Sequence, residues 1–332
     1  MKIAPGIYQL QVSISDSPLG HLNCYLIESR DGWLIVDTGW HTHDAFNALE
    51  TELRDLGLDV ADISTIVVTH IHPDHFGLAG KIKHLSPRTQ LLMHCWESAL
   101  IESRYIKFAD MLERMGTILQ RHGVPYVNMS ALQSASMPAL QFVTVTFPDD
   151  VLYGGEIINT SVYNLEVIWT PGHSPGHICL YEPQNQLLFS GDHVLPSITP
   201  HVGYHIQSGD NPLGDYLHAL EKLRHLPVDK VLPAHGHVFN NLQGRIQEIV
   251  DHHNRRKGEI QQVIAKEPQN AYLISSKIPW DIGLTWEKFP NLQKRFAVME
   301  TIAHLECMRW EGTVCKIVEG NSILYGLGGM KE

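Results

Sequence analysis

The 332-residue chain is short of several things, and each shortage closes a class of protein. No apolar run reaches the roughly 18–20 residues of a membrane-spanning helix, so no membrane partner is expected. Only five cysteines occur, at positions 24, 95, 179, 307 and 315, with no C-x-x-C pair among them. They read as reduced thiols and not as a disulfide framework. The opening MKIAPGIYQL lacks the charged and apolar regions of a secretory signal, which with the thiols sets the expectation of a cytoplasmic protein. Basic residues are the minority, 25 Lys and Arg against 36 Asp and Glu. The deficit is uneven: residues 1–254 hold 14 basic against 27 acidic side chains, whereas residues 255–332 hold 11 against 9. So acidic a body argues against a continuous track for a phosphate backbone. There is no repeat of 20–50 residues and no low-complexity tract. With 43% apolar residues a disordered chain is excluded.

Apolar spacing and turn signals predict strands at 7–14, 23–29, 32–39, 63–70 and 89–95. They predict helices over Asp44–Leu56 and Phe76–Leu85 and a long helical stretch from Glu97 to His122. Strands recur at 140–147, 164–170, 177–182, 186–192 and 230–235, with helices at Leu213–Leu226 and from Leu242 to about Lys266. Two β-rich halves, each carrying helices, predict an α/β protein built as a four-layer αββα sandwich. Past residue 255, a helix over Asn291–Arg309 leads to the strands TVCKIVEG and NSILYGL, joined through Gly320 and Asn321. Helices ending in a small hairpin suggest a winged-helix-like module. The expected domains are a catalytic one over 1–254 with a helical insertion or lid at 97–139, and a small winged-helix-like one over 255–332. Tyr105, Phe108, Met111, Met115 and Ile118 of the insertion read first as core and second as an apolar lid; its mixed charges, Glu97 among them, read as a solvated face.

What the chain has in excess is histidine, 21 in all. After the apolar ISTIVV comes Thr69-His70-Ile71-His72-Pro73-Asp74-His75, three imidazoles and a carboxylate that are costly to bury without a cation. His70 and His72 can turn to one metal while Asp74 and His75 face a second. Thr170-Pro171-Gly172 forms a turn that presents His173, and His177 then begins the next strand as a supporting group. Ser190-Gly191-Asp192 offers a carboxylate able to bridge two cations, and Leu232-Pro233-Ala234-His235 ends another strand. A polar turn with coincidental histidines is the plain alternative for each, and it weakens as such turns accumulate behind separate strands. The seven side chains His70, His72, Asp74, His75, His173, Asp192 and His235 suit a two-metal hydrolytic site. Imidazole with carboxylate fits Zn²⁺, and also Mn²⁺ or iron. His193 points away from Asp192 along an extended chain and reads as a supporting residue. Tyr204 and His205, on a segment that Pro196 and Pro200 keep from being a helix, are candidates for a donor near an oxyanion.

In order and spacing these motifs resemble the metallo-β-lactamase superfamily, over residues 1 to about 250. THIHPDHFGLAG, TPGHSPGH and SGDHVLPSITP are similar to its glyoxalase II-like branch, and most to the subgroup with a C-terminal winged-helix-like domain. That subgroup includes thioester or lactone hydrolases and a ribonuclease. The resemblance implies that Asp37 of Asp37-Thr38-Gly39 stands behind the metals. It implies that His70, His72 and His173 hold one zinc, that Asp74, His75 and His235 hold the other, and that Asp192 bridges them. It further implies two Zn²⁺ per chain and a shared hydroxide that attacks a small acyl ester, thioester or lactone, with Asp74 and Asp192 as the catalytic carboxylates. Asp74 is then placed to hold the hydroxide and pass its proton to the leaving group.

Departures narrow the choice. The best-known β-lactamases carry Cys at the bridging position and are exported, so antibiotic hydrolysis is not the expectation. No basic glutathione-binding cluster follows the last ligand, which separates the chain from glyoxalase II proper. A His stands where flavodiiron relatives have Glu. The alternatives are a ribonuclease or phosphodiesterase that grips nucleic acid with the C-terminal domain, and behind it an iron-dependent persulfide dioxygenase. The would-be recognition helix carries Lys294, Arg295 and Arg309 against Glu300 and Glu306, nearly neutral. A small-molecule substrate is therefore favoured over nucleic acid, with the tail as a packing element compatible with a homodimer.

Overall fold

The computed structural model describes residues 1–14 and 19–329. The chain forms two compact units that interleave along the sequence. The first takes Met1–Ile106, Ala139–Pro200 and Ala219–Ile246; the second takes Lys107–Pro138, His201–His218 and the residues from Gln247 onward. The sequence suggests one linear cut near residue 254, but each unit gathers three segments.

In the first unit, strands β1 (Lys2–Ala4), β2 (Ile7–Ser13), β3 (His21–Ser29) and β4 (Gly32–Val36) are followed by α1 (His43–Asp55). Thr42 caps α1, its side chain accepting from the Ala45 amide, with Asp44 in the first turn and Arg54 in the last to match the helix dipole. Then come β5 (Ile63–Val68), the one-turn α2 (Pro73–Phe76), α3 (Ala79–Leu85), β6 (Gln90–His94) and α4 (Cys95–Ile101). Past α5 (Phe108–Arg121) and α6 (Tyr126–Gln133), the first unit resumes with β7 (Asp150–Leu152), β8 (Ile157–Asn159), β9 (Asn164–Trp169), β10 (Ile178–Glu182) and β11 (Leu187–Gly191). After α7 (Pro212–Arg224), β12 (Lys230–Pro233) completes the strands of this unit.

Strands β1 to β7 lie in sequence order in one sheet, antiparallel up to β4 and parallel from there. The second sheet runs β12-β11-β10-β9-β8, with only β11 and β12 parallel. Parallel strands are covered on both faces, and β5 accordingly ends in the fully buried run Ile66-Val67-Val68. Tyr25, Ile27, Leu34 and Val67 from the first sheet share a buried layer with Leu165, Leu180, Phe189 and Leu232 from the second. The rings of Tyr25 and Phe189 meet edge to face at 5.3 Å. On its other face the first sheet packs Leu26, Ile35 and Ile66 against Phe46, Leu49 and Leu53 of α1 and Ile82 of α3. The architecture is the expected αββα sandwich.

Two local expectations are corrected. The stretch 140–147 forms no strand: Met137–Phe142 is a 3₁₀ turn and the rest is extended without a ladder. Its alternation serves a half-buried surface, where Phe142 stacks on Trp40 at 4.4 Å. Its backbone bonds go to loops, Thr144 N–H to the Gly77 carbonyl at 3.0 Å and His41 N–H to the Phe142 carbonyl at 2.8 Å. The stretch Glu97–His122 is also not one helix. α4 runs into a π-helical turn over Glu102–Ile106, and α5 restarts after Lys107, whose φ of −103° and ψ of 42° are not helical. No Gly or Pro marks that break.

In the second unit, α8 (Leu242–Ile264, which begins in the first), α9 (Ala271–Lys277) and α10 (Asn291–Trp310) precede a hairpin of β13 (Val314–Glu319) and β14 (Ser322–Leu327). Its core collects Leu119 and Val124 with Ile260, Ile274, Val298, Ile302, Leu305 and Tyr325. Met115 and Ile118 pack on this core. Among the described residues no helix is long and apolar enough to cross a membrane.

Candidate metal centre

Strand ends supply the site. β5 stops at Val68, and Thr69 and His70 leave its carboxyl end; Pro73 at the first position of α2 then turns the chain, with His72 at the N-cap. This one-turn helix brings Asp74 and His75 to His235, with the His75 ring still 4.0 Å from that of His70. β9 leads into the turn that carries His173, β11 into Asp192 and β12 into His235.

Two groups of side chains result. In the first, His70 Nε2, His72 Nδ1 and His173 Nε2 stand 2.8, 3.0 and 3.2 Å apart. In the second, His235 Nε2 lies 3.2 Å from Asp74 Oδ2, and His75 Nε2 lies 3.7 Å from the same oxygen. Asp192 stands between the groups: its Oδ2 is 3.6 Å from both His173 Nε2 and His75 Nε2, and its Oδ1 is 3.5 Å from His235 Nε2.

The electrostatics of the groups differ. Burial, followed by the neighbouring imidazoles, holds His70 and His72 well below the usual histidine range, so both are neutral with lone pairs available. Burial also lowers His75, but Asp37, Asp74 and Asp192 outweigh it and raise it well above that range. His235 is raised against burial by Asp192 and Asp74. Burial raises the two aspartates, yet His75 and His235 leave Asp74 lowered and Asp192 well below the carboxylate range.

The donor set fits a cation pair. His75 Nε2, His235 Nε2 and Asp192 Oδ1 are buried with no hydrogen-bond partner, a cost that coordination would remove. Ligand atoms of His70–His72–His173, of His70–His75–Asp192 and of Asp74–His75–His235 each lie within 4.8 Å of one another. Imidazoles with carboxylates match zinc, manganese or iron.

Buried partners aim these rings. Asp37, at a φ of 61° just past β4, accepts from Thr69 N–H at 2.8 Å, from the Thr69 hydroxyl at 2.9 Å and from His75 Nδ1–H at 2.7 Å. That bond leaves His75 Nε2 facing the cluster. His235 Nδ1–H likewise donates to the His21 carbonyl at 3.1 Å. His177 is not among the converging side chains: its Nδ1 meets the Thr170 hydroxyl at 2.8 Å and its Nε2 accepts from the Asp192 amide at 3.1 Å. Gly191, at a φ of +50°, has no room for a Cβ, which would stand 2.6 Å from His177 Nε2. His193 is fully buried and pushed down to about 3 by burial, its ring 5.7 Å from that of His177.

Tyr204 and His205 both belong to the second unit. Tyr204 N–H donates to the Met299 carbonyl at 2.9 Å, and burial raises its phenol. His205 N–H donates to the Ser208 hydroxyl at 3.0 Å.

Sequence reasoning missed Glu97, which is completely buried and not on a solvated face. Its carboxylate accepts from Ile71 N–H at 2.8 Å, the Ser174 hydroxyl at 2.6 Å and Gly176 N–H at 2.5 Å. One signal was available: Glu97 shares a helical face with Leu100 and the buried Ile101, so a carboxylate stands in an apolar stripe.

Residues 18–235 match the family model described as "Metallo-beta-lactamase superfamily". A metallo-beta-lactamase family protein from Thermus thermophilus has a TM-score of 0.80 at 29% identity, over 98% of this chain and 100% of that one. The probable metallo-hydrolase YqjP of Bacillus subtilis (strain 168) is 24% identical over 315 residues, 92% of this chain and 93% of its own. Acyl-coenzyme A thioesterase MBLAC2 of Bos taurus is 28% identical over 251 residues, 71% of this chain and 80% of its own.

Proposed function

Because the chain belongs to the metallo-beta-lactamase superfamily and is a hydrolase of that fold, we propose that it cleaves small acyl thioesters, with esters and lactones as the neighbouring substrate classes. The observation that carries this reading is the position of Asp192 between two triads of ligand type, its Oδ2 3.6 Å from a nitrogen of each and its Oδ1 turned to His235. The relative named as an acyl-coenzyme A thioesterase supports the acyl class.

Under this reading His70, His72 and His173 hold one zinc, Asp74, His75 and His235 hold a second, and Asp192 serves both. When bound, the cations supply hydroxide near neutral pH and polarise the acyl oxygen. Asp192 and Asp74 are ionised carboxylates that offset their charge. Asp74, 3.2 Å from His235 Nε2, would hold the hydroxide by a hydrogen bond, take its remaining proton once the acyl carbon is attacked, and deliver that proton to the leaving sulfur as the carbon–sulfur bond breaks. Asp37 keeps His75 in the tautomer that turns Nε2 inward. No Ser or Cys nucleophile is needed.

The proposal extends to the glyoxalase II-like branch, to a cytoplasmic setting, and to α8–α10 with the β13–β14 hairpin as a winged-helix-like module. It takes a small molecule and not nucleic acid as substrate. Initial rates of the zinc-loaded protein on an S-acyl thioester, a lactone and single-stranded RNA test it, with Asp192→Asn alongside. The expected result is thioester turnover that falls about 100-fold or more in the variant. RNA cleavage lost in the variant, with both acyl substrates untouched, overturns it.

A further inference from the structure

The three-histidine group draws its ligands from two loops, and one carboxylate holds both. Ile71, whose N–H donates to Glu97, is the residue between His70 and His72; Ser174 and Gly176, the other two donors, follow His173. The Ile71 carbonyl is held in turn by the Tyr105 hydroxyl. Both braces come from one helical stretch. Eight residues of α-helix would carry Tyr105 about 80° around the axis from Glu97, and the wider π turn over Glu102–Ile106 takes up that offset. The fit is close: a Cβ on Gly176 would stand 2.8 Å from Glu97 Cγ and from the Glu97 amide nitrogen. Burial leaves the Glu97 carboxyl raised above the usual carboxylate range, although its three donors and the nearby Arg104 charge oppose that.

The second group already has such a carboxylate in Asp37, bonded to His75. The first group consists of three imidazoles and has no carboxylate of its own apart from the shared Asp192. We propose that Glu97 is the positioning residue of the three-histidine metal position: it fixes the distance between the two loops that carry the ligands and governs the affinity of that position alone. This rests on the two-metal reading above.

Replacing Glu97 with Gln keeps its size but puts an amide NH₂ opposite at least one of the three donors, so a buried N–H or O–H loses its acceptor. The test titrates the metal-free full chain with Zn²⁺ against a chromophoric chelator. It compares the unaltered protein, His235→Ala, which retains the three-histidine position, and His72→Ala, which retains the other, each with and without Glu97→Gln. We expect two equivalents in the unaltered protein. Glu97→Gln should weaken the equivalent left in His235→Ala by about 10–100-fold and leave the one in His72→Ala unchanged. Equal weakening in both backgrounds, or none in His235→Ala, overturns the proposal. Fewer than two equivalents in the unaltered protein overturns the two-metal reading instead, whatever the Gln variant does. Should Glu97→Gln fail to fold by circular dichroism, Ser174→Ala removes a single donor, and it must weaken the same equivalent by a smaller factor.

Discussion

At the scale of single residues, the cluster stores protons where a cation would sit. His75 is raised well above the ordinary histidine range by Asp37, Asp74 and Asp192, and His235 is raised by Asp192 and Asp74, so in the metal-free protein both rings keep their protons to higher pH than a free imidazole does. A ligating histidine must be neutral, so Zn²⁺ displaces these protons. Binding should therefore release protons at pH 7, seen by calorimetry as a heat that scales with the buffer's ionisation enthalpy. The affinity should also rise with pH through the raised values. A buffer-independent heat would show that these two rings are neutral before binding. Asp37→Asn removes one raising charge and one acceptor of His75 Nδ1–H; affinity at the Asp74–His75–His235 position should drop about 10–100-fold, by the same chelator titration.

At the scale of elements, short connections do the positioning. α2 is one turn long, yet it brings both Asp74 and His75 to His235, and its end is packed without spare room. A Cβ on Gly77 would land on the backbone carbonyls of Pro73, Phe142 and Gly39. Thr38 holds the same turn, its amide and hydroxyl donating to the His75 carbonyl at 2.9 and 2.8 Å. Gly77→Ala should cost about 1–3 kcal/mol by overpacking, measured as a fall in the denaturant midpoint. An unchanged midpoint would mean that the 140–147 segment shifts freely, against its stacking on Trp40. That segment also shows the limit of pattern reading. Alternating apolar residues announce a half-buried surface, and the same alternation suits a strand or an extended strap.

At the scale of the whole molecule, buried histidines make both units sensitive to acid. In the second, His304 is pushed down to about 4 by burial, its Nδ1 bonded to the Glu300 carbonyl at 2.8 Å and its Nε2 3.1 Å from His253 Nδ1. His122 is likewise pushed to about 4 by burial, 3.2 Å from the Tyr325 hydroxyl. Both lie below the unfolded value of 6.5, so the unfolded chain binds more protons between these limits. Their stabilising effect is complete above pH 6.5 and is lost as pH falls toward 4, on the order of 3 kcal/mol for each group. Thermal unfolding of the metal-free protein should shift down across that window, and less steeply in His304→Asn. A slope identical in the variant would remove His304 from the account.

Much of the site was legible because its information is local. His70, His72, Asp74 and His75 sit within six residues behind an apolar strand, and His173, Asp192 and His235 each follow another, so residue type and strand periodicity were enough to bring these seven side chains under suspicion. The layered α/β architecture followed from the same periodicity. Tertiary structure alone decided what holds the seven in place. Glu97 reaches Ile71 across 26 residues and Gly176 across 79, and Asp37 reaches His75 across 38. It also decided the break at Lys107 and the interleaving of the two units, neither of which carries a Gly or Pro signal in ESRYIKF. A hydrogen bond between distant segments leaves no period in the chain. It exists only once the strands have packed and brought a buried donor to a buried acceptor.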